Sequence, residues 1–356
     1  MRAAEFWPEF GLRNHKETAD IAFEPHHVLA NELMQSHEPG SMTTPRYLRA
    51  LRPLLAALPL IGVAKAQRPP LIGVSHIALW VKDLDKSRAF YEAYLGFDES
   101  FVLKDDTGSG IRIAWIKIND RQTVELFPAG NQAPAGGLNL RHIALETADA
   151  SAMLAYLKTK GVRAPGGGDL PDTAHRTKIG DLVFTAQDPD GHGIEFVTYG
   201  PDGWIMKNKG RFLATTRVST RIAHCGVEAK DLDASLRFYR DVLGMVETKR
   251  ITRAGNLYES VSLRVPEGQD NLEFTLFRKP PSLEELLILQ HFCLEVPSLP
   301  AALDTLSRRE PPPGAKGPSA MRTGYGKRLV NLFDPDGTRV ELMDDAPPPM
   351  PPSMGG

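Results

Sequence analysis

The chain has 356 residues, 42 Lys+Arg against 44 Asp+Glu (formal charge −2), 42% hydrophobic and 24% charged residues, the proportions of a soluble globular protein long enough for two domains. This balance gives no basic surface for nucleic acid, and no apolar run reaches the roughly 18–20 residues that a bilayer crossing needs, so no stable membrane insertion is expected. Two cysteines, Cys225 and Cys293, exclude a disulfide framework and a cysteine-rich zinc site.

Residues 1–71 read as a leader. Arg46, Arg49 and Arg52 precede an apolar stretch (54–63), which Ala64-Lys65-Ala66 follows. A basic start, a short apolar segment and an A-x-A exit have the form of a secretory signal peptide. Such a segment belongs at an N-terminus, so residues 42–66 read as the signal, with translation starting at Met42 and a mature chain beginning near Gln67. A short buried helix or a disordered leader is the alternative. With the signal, the protein is exported to a periplasm or secreted; without it, the protein is cytoplasmic.

In the first half a strand (74–81) leads through Asp85, read as an N-cap, into a helix of about ten residues that Gly96 can end in the left-handed conformation. Strands follow near 98–104, 110–118 and 122–128. A second strand starts at 140–146, its helix (149–160) ends at Gly161, and strands near 181–187 and 193–199 close the half after a DPDG turn. Residues 201–221 read as a linker. The pattern then repeats: VSHIALWVKDLDKSRAFYEAYLGFD (74–98) matches IAHCGVEAKDLDASLRFYRDVLGMV (222–246), RHIALE (141–146) matches QHFCLE (290–295), and DPDGHGIEF (188–196) matches DPDGTRVEL (334–342). The duplication sets the architecture: an α+β fold of four βαβββ modules, paired into cupped mixed sheets with helices on the outer face. The domains are 72–200 and 222–345, with a Pro-rich disordered tail at 346–356.

Strand alternation says which residues share a face. Ile77, Leu79 and Val81 form an apolar face opposite His76; Val124 and Leu126 oppose Glu125, Ile143 and Leu145 oppose His142, and Ile194 and Phe196 oppose Glu195. The second half places His224, Glu273, His291 and Glu341 the same way. Each half thus carries His, Glu, His, Glu on the face away from its helices. A single strand histidine is ordinarily a satisfied or half-exposed side chain, and an open-face glutamate is ordinarily solvated. The matched quartets instead make a mixed N/O field suited to Zn, Ni, Mn, Co or Fe(II). His175, in a polar loop, and His192, after the DPDG turn, have no counterparts and read as surface residues.

The HIAL, FYxxxLGF, VELF, LRHIAL and DPDGxxIEF motifs of the first half, with their counterparts in the second over roughly 72–345, resemble the vicinal oxygen chelate superfamily, the group of glyoxalases, bleomycin-resistance proteins and extradiol dioxygenases. The resemblance implies metal ligands at His76, Glu125, His142 and Glu195, and at His224, Glu273, His291 and Glu341. Modules can pair within a half or across halves; the short 126–141 connection favours the former. The four-ligand set is more similar to that of nickel-type glyoxalase I than to the three-ligand set of the dioxygenases. The implied activity is metal-dependent isomerase or lyase chemistry on a small substrate with vicinal oxygens, with Glu195 and Glu341 as candidate general bases. A ring-cleaving dioxygenase and a non-catalytic binding protein are the alternatives. An exported protein would not meet glutathione conjugates, so another vicinal-oxygen substrate is expected. By parity Cys293 shares the face of His291 while Cys225 faces the helices, so both read as free, buried thiols. Trp80 and Trp115 are candidates to line a substrate pocket.

Overall fold

The computed structural model describes residues 67–130, 139–252, 258–277, 282–324 and 326–345. The segment read as a signal peptide (42–66) and the Pro-rich tail (346–356) lie outside the described residues. The first half contains β1 (Leu71–Val81), α1 (Leu84–Arg88, continued by a wider turn over Ala89–Tyr94), β2 (Asp98–Lys104), β3 (Ile111–Lys117), β4 (Thr123–Pro128), β5 (Leu140–Thr147), α2 (Ala150–Thr159), β6 (His175–Arg176), β7 (Leu182–Gln187) and β8 (Gly193–Thr198). After α3 (Trp204–Lys207), the second half contains β9 (Arg221–Ala229), α4 (Leu232–Leu236, continued over Arg237–Val242), β10 (Val246–Thr252), β11 (Tyr258–Arg264), β12 (Asn271–Phe277), α5 (Leu283–Leu289), β13 (His291–Glu295), α6 (Leu299–Ser307), β14 (Arg322–Gly324), β15 (Lys327–Phe333) and β16 (Arg339–Asp345).

Each half is one eight-stranded sheet, ordered β2-β3-β4-β1-β5-β8-β7-β6 and β10-β11-β12-β9-β13-β16-β15-β14. The modules therefore pair within a half, through the antiparallel seams β1–β5 and β9–β13. The parallel β1–β4 and β5–β8 contacts flank the first seam. One apolar cluster, running from Ile77 and Phe90 to Phe274 and Val340, unites the two halves. Among the described residues no helix is long and apolar enough to cross a membrane.

The helix cap differs from the sequence expectation by two residues. Asp83, not Asp85, is the N-cap, its side chain accepting the Lys86 N–H, and Asp231 does the same for Ala234. Asp85 sits in the first turn, where its charge complements the exposed N–H groups of the helix. Gly96 and Gly161 end their helices at φ +82° and +69° as expected. Helix α5 was not foreseen, although Ser282 and Glu285 form a capping box at its start, which is a readable sequence signal. The 201–221 linker is pinned by the buried Lys117 ammonium, which donates to the Asn208 and Arg211 carbonyls at 2.7 Å.

The two halves clasp each other with the same residues used twice. Tyr91 donates to Asp334 (3.1 Å) across the join, and Tyr239 donates to Asp188 (2.9 Å) in the reverse direction. The backbone N–H of Lys82 reaches Asp336 while that of Lys230 reaches Asp190. At the centre, Ile222 N donates to Gln122 and Val74 N donates to Asp270. The FY and DPDG motifs thus join the halves, and the widened turn, closed by Leu95 N–H to the Phe90 carbonyl, is where the FY pair sits.

His192 belongs to this clasp rather than to the surface. Its Nδ1 lies 2.9 Å from Asp188 Oδ2. Burial alone would lower the imidazole pKa, but the Asp188 hydrogen bond and charge, with Asp190 and Glu228 nearby, outweigh it and raise the value above 6.5. A raised folded pKa gives stability that is fully present below the unfolded value and is lost as pH rises through the folded one. The stability difference between the parent and His192→Gln should therefore be larger near about pH 6 than near about pH 9. Denaturant melts at the two pH values check this, and an equal or reversed difference contradicts the charged pair.

Candidate metal centre

Register brings the first quartet together. Across the seam Ala78 lies opposite His142 and His76 opposite Ala144. Ala78 also pairs with Glu125 on β4, and Ala144 with Glu195 on β8. The four side chains consequently occupy neighbouring positions on one face of four adjacent strands. His76 Nε2 is 2.9 Å from His142 Nε2, 3.5 Å from Glu125 Oε1 and 3.5 Å from Glu195 Oε1. Donors that share one ion at about 2.1 Å stand about 3.0–3.4 Å apart in octahedral or tetrahedral geometry, so this spacing fits a single divalent cation. The residues line a cavity of about 330 Å³, which also includes Trp115, Phe127 and Arg141.

The chemistry of the donors agrees with the spacing. Burial, then Arg141, lowers the His76 pKa to about 3, and burial likewise holds His142 well below its usual value, so both rings are neutral. Burial and the neighbouring Glu195 push Glu125 up to about 8; burial raises Glu195 to about 7. Two buried carboxyls this uncomfortable as anions are groups that gain from a cation between them. Trp115 Nε1 donates to Glu125 Oε1 at 2.6 Å and fixes that carboxyl.

A hydrogen-bond chain sets the His76 tautomer. Tyr199 spends its only proton on the Arg121 carbonyl (2.6 Å), so it accepts from Ser75 Oγ (2.6 Å). Ser75 in turn accepts from His76 Nδ1 at 3.1 Å. The Nε2 lone pair of His76 is thereby turned into the cup, the arrangement that orients metal-binding imidazoles. Arg141, stacked over Phe127 with its guanidinium carbon 4.2 Å from the ring centroid, lies 3.0 Å from His142 Nδ1.

The second quartet also converges, but in different company. His224 Nε2 is 3.1 Å from His291 Nε2, 3.2 Å from Glu341 Oε2 and 3.9 Å from Glu273 Oε2. Arg339 occupies the position of Gly193 in the first half and donates to Glu341 Oε1 at 2.6 Å. Against the cost of burial, Arg339 and the two imidazoles hold Glu341 well below the usual carboxylate range. Ala223 stands where Ser75 does, so His224 lacks the neighbouring hydroxyl that orients His76. Cys225 and Cys293 are both free and buried, as the alternation implied, and Cys293 lies opposite His224 in the seam.

All eight residues singled out in the sequence thus fall into two clusters, four in each cup. The sequence reading did not identify Arg141, Arg339, Ser75 and Tyr199. Their signal is position alone: each lies one residue before a quartet member, two residues before one, or four after one. His175, read as a surface residue, is exposed but stands on the cavity wall, and Trp80 packs on Phe127 and Arg141 instead of entering the cavity lining.

A model described as the Glyoxalase/Bleomycin resistance protein/Dioxygenase superfamily matches residues 73–196 and 221–342. The lactoylglutathione lyase GLX1 of Arabidopsis thaliana is 23% identical over 290 residues, covering 76% of this chain and 90% of the relative. The mitochondrial methylmalonyl-CoA epimerase of Homo sapiens is 27% identical over 100 residues, 26% of this chain and 55% of the relative. In structure, the chain is similar to the Mn(II)-bound glyoxalase of Novosphingobium aromaticivorans (TM-score 0.56, 21% identity, 78% of this chain and 83% of that one). It is also similar to an extradiol ring-cleaving dioxygenase of B. fuscum (TM-score 0.58, 18% identity, 81% and 75%).

Proposed function

This chain belongs to the Glyoxalase/Bleomycin resistance protein/Dioxygenase superfamily, and we propose that its first cup is the active site of a divalent-metal-dependent enzyme of the glyoxalase type. The substrate is a small molecule with two adjacent oxygens, and the reaction is proton transfer leading to isomerisation or lyase chemistry. The observation that carries this reading is the convergence of His76, Glu125, His142 and Glu195 at a cavity of about 330 Å³, a size suited to a small ligand. Relatives named as a lyase and an epimerase support the reaction class.

His76, Glu125, His142 and Glu195 would hold Ni, Zn, Mn, Co or Fe(II). When bound, such an ion supplies a Lewis acid that polarises the substrate oxygens. Glu195 moves the proton. It accepts no hydrogen bond from a Trp, Ser or Arg donor among the described residues, whereas Trp115 pins Glu125. It takes a proton from the carbon beside the substrate carbonyl and returns it to the neighbouring atom. Glu341, the other candidate base, is held by Arg339 and is a weak base in that grip, so the role falls to Glu195. Trp115 and Phe127 give the cavity apolar walls that limit water around the migrating proton.

The test uses the full chain, stripped with chelator and reloaded separately with each of these ions. It is offered hydroxycarbonyl, hemithioacetal and aromatic diol substrates with and without oxygen. Turnover should vanish on stripping, return on reloading, and fail to return in His142→Ala. Turnover that survives metal removal contradicts the proposal. Oxygen uptake with an aromatic diol replaces it with ring cleavage, and tight binding without turnover replaces it with sequestration.

The tautomer chain makes a separate expectation. Ser75→Ala should weaken metal binding in the first cup by about 10–100-fold, the usual effect of losing a group that orients a ligand. A competition titration against a chromophoric chelator measures it; unchanged affinity would remove Ser75 from that role.

A further inference from the structure

The two cups differ at the residue that faces the first histidine of each seam. In the first cup His76 lies opposite Ala144; in the second, His224 lies opposite Cys293. The substitution places sulfur where the first cup has a methyl group. A His224 nitrogen, the Cys293 sulfur and a Glu341 oxygen all lie within 4.8 Å of one another, and the three side chains are buried. His291 stands beside this set, its Nε2 3.1 Å from that of His224 and 3.8 Å from Glu341 Oε2. Its position depends on Gly226, which lies opposite it on β9; a Cβ there would collide with the imidazole ring.

We propose that the second cup is a zinc site made by His224, His291, Cys293 and Glu341, distinct in metal preference from the all-N/O site of the first cup. Zinc takes Cys, His and carboxylate donors in closed tetrahedral sets, whereas thiolate is a poor partner for Mg or Mn. Glu341 has one oxygen on Arg339 and the other facing the histidines, which orients it as a one-oxygen ligand. Glu273 stands farther out, with its Oε1 accepting from Ser260 Oγ at 2.9 Å, and is spare. Binding is proton exchange without redox change: the Cys293 S–H bond breaks, its proton leaves to solvent, and a sulfur–zinc bond forms. Four protein donors leave no open position for substrate, so the ion braces the second sheet while the first cup performs the reaction.

Cobalt(II) and zinc added to the metal-free full chain test this. The cobalt-loaded parent should show a thiolate-to-cobalt charge-transfer band in the near ultraviolet. Cys293→Ala, which restores the residue of the first cup and should therefore fold, should lose the band and one equivalent of tightly held zinc. Cys225→Ala, changed on the opposite face, should keep both. His76→Ala should also keep the band, so loss of activity in that variant reports on the first cup alone. A parent without the band, or a band that persists in Cys293→Ala, overturns the proposal. X-ray absorption of the zinc-loaded parent gives an independent reading: one sulfur neighbour is expected, and none would refute the site.

Discussion

Glu195→Gln is expected to lower kcat by about 10²–10⁴-fold, the range for losing a positioned general base, with little change in KM. The amide keeps the size of the carboxyl and one ligating oxygen, so metal content should remain near that of the parent. What it removes is a basic oxygen beside His76, 3.5 Å from its Nε2. The predicted loss lies in the transition state, and a fall in kcat at constant KM is its signature. Trp115→Phe provides the scale. It deletes the 2.6 Å bond to Glu125 without touching the base, and a hydrogen bond to a charged group corresponds to about 10–150-fold at most, so only the base variant should reach the upper part of its range. Steady-state kinetics with metal analysis on both variants decides the matter. A Glu195→Gln enzyme as fast as the parent would remove the base from the mechanism and leave the ion-binding reading standing.

The quartets were legible because alternation is local. Once a strand is recognised, the side of the sheet taken by His76 or Glu125 follows from residue number alone. The duplication then supplied the second set by copying the first. Features that depend on how strands and halves meet were not legible. Nothing local in FYEAYLGF says that Tyr91 reaches Asp334, because that contact exists only when the halves dock. Arg141 and Arg339 show the same limit. Both guanidiniums reach Nδ1 of the second histidine in their cup, but one comes from β5 and the other from β16, so aligning the repeats hides the equivalence. The thiol of Cys293 was placed on the correct face by parity. Its meaning required the β9–β13 register, which puts it across from His224.

Asp334→Ala is expected to destabilise the protein by about 3 kcal/mol or more. The carboxyl is fully buried and accepts from Tyr91 (3.1 Å) and from the backbone of Asp336 (3.0 Å) and Thr338 (2.8 Å). Burial pushes its pKa up to about 6, so it is held in place by these donors and not by a counter-charge. Alanine leaves the three donors without their acceptor, and each buried, unsatisfied group costs about 1–3 kcal/mol. Tyr91→Phe removes only one of these bonds and should therefore lose less, about 1 kcal/mol. Since Tyr239 and Asp188 repeat the contact in the opposite direction, Tyr239→Phe should also lose stability while Asp188 keeps its His192 partner, and the double variant should exceed either single one. Urea unfolding at constant m-value gives all four numbers. If Asp334→Ala melts like the parent, the crossed tyrosine–aspartate pairs do not hold the halves together, and the repeated FY and DPDG motifs need another explanation.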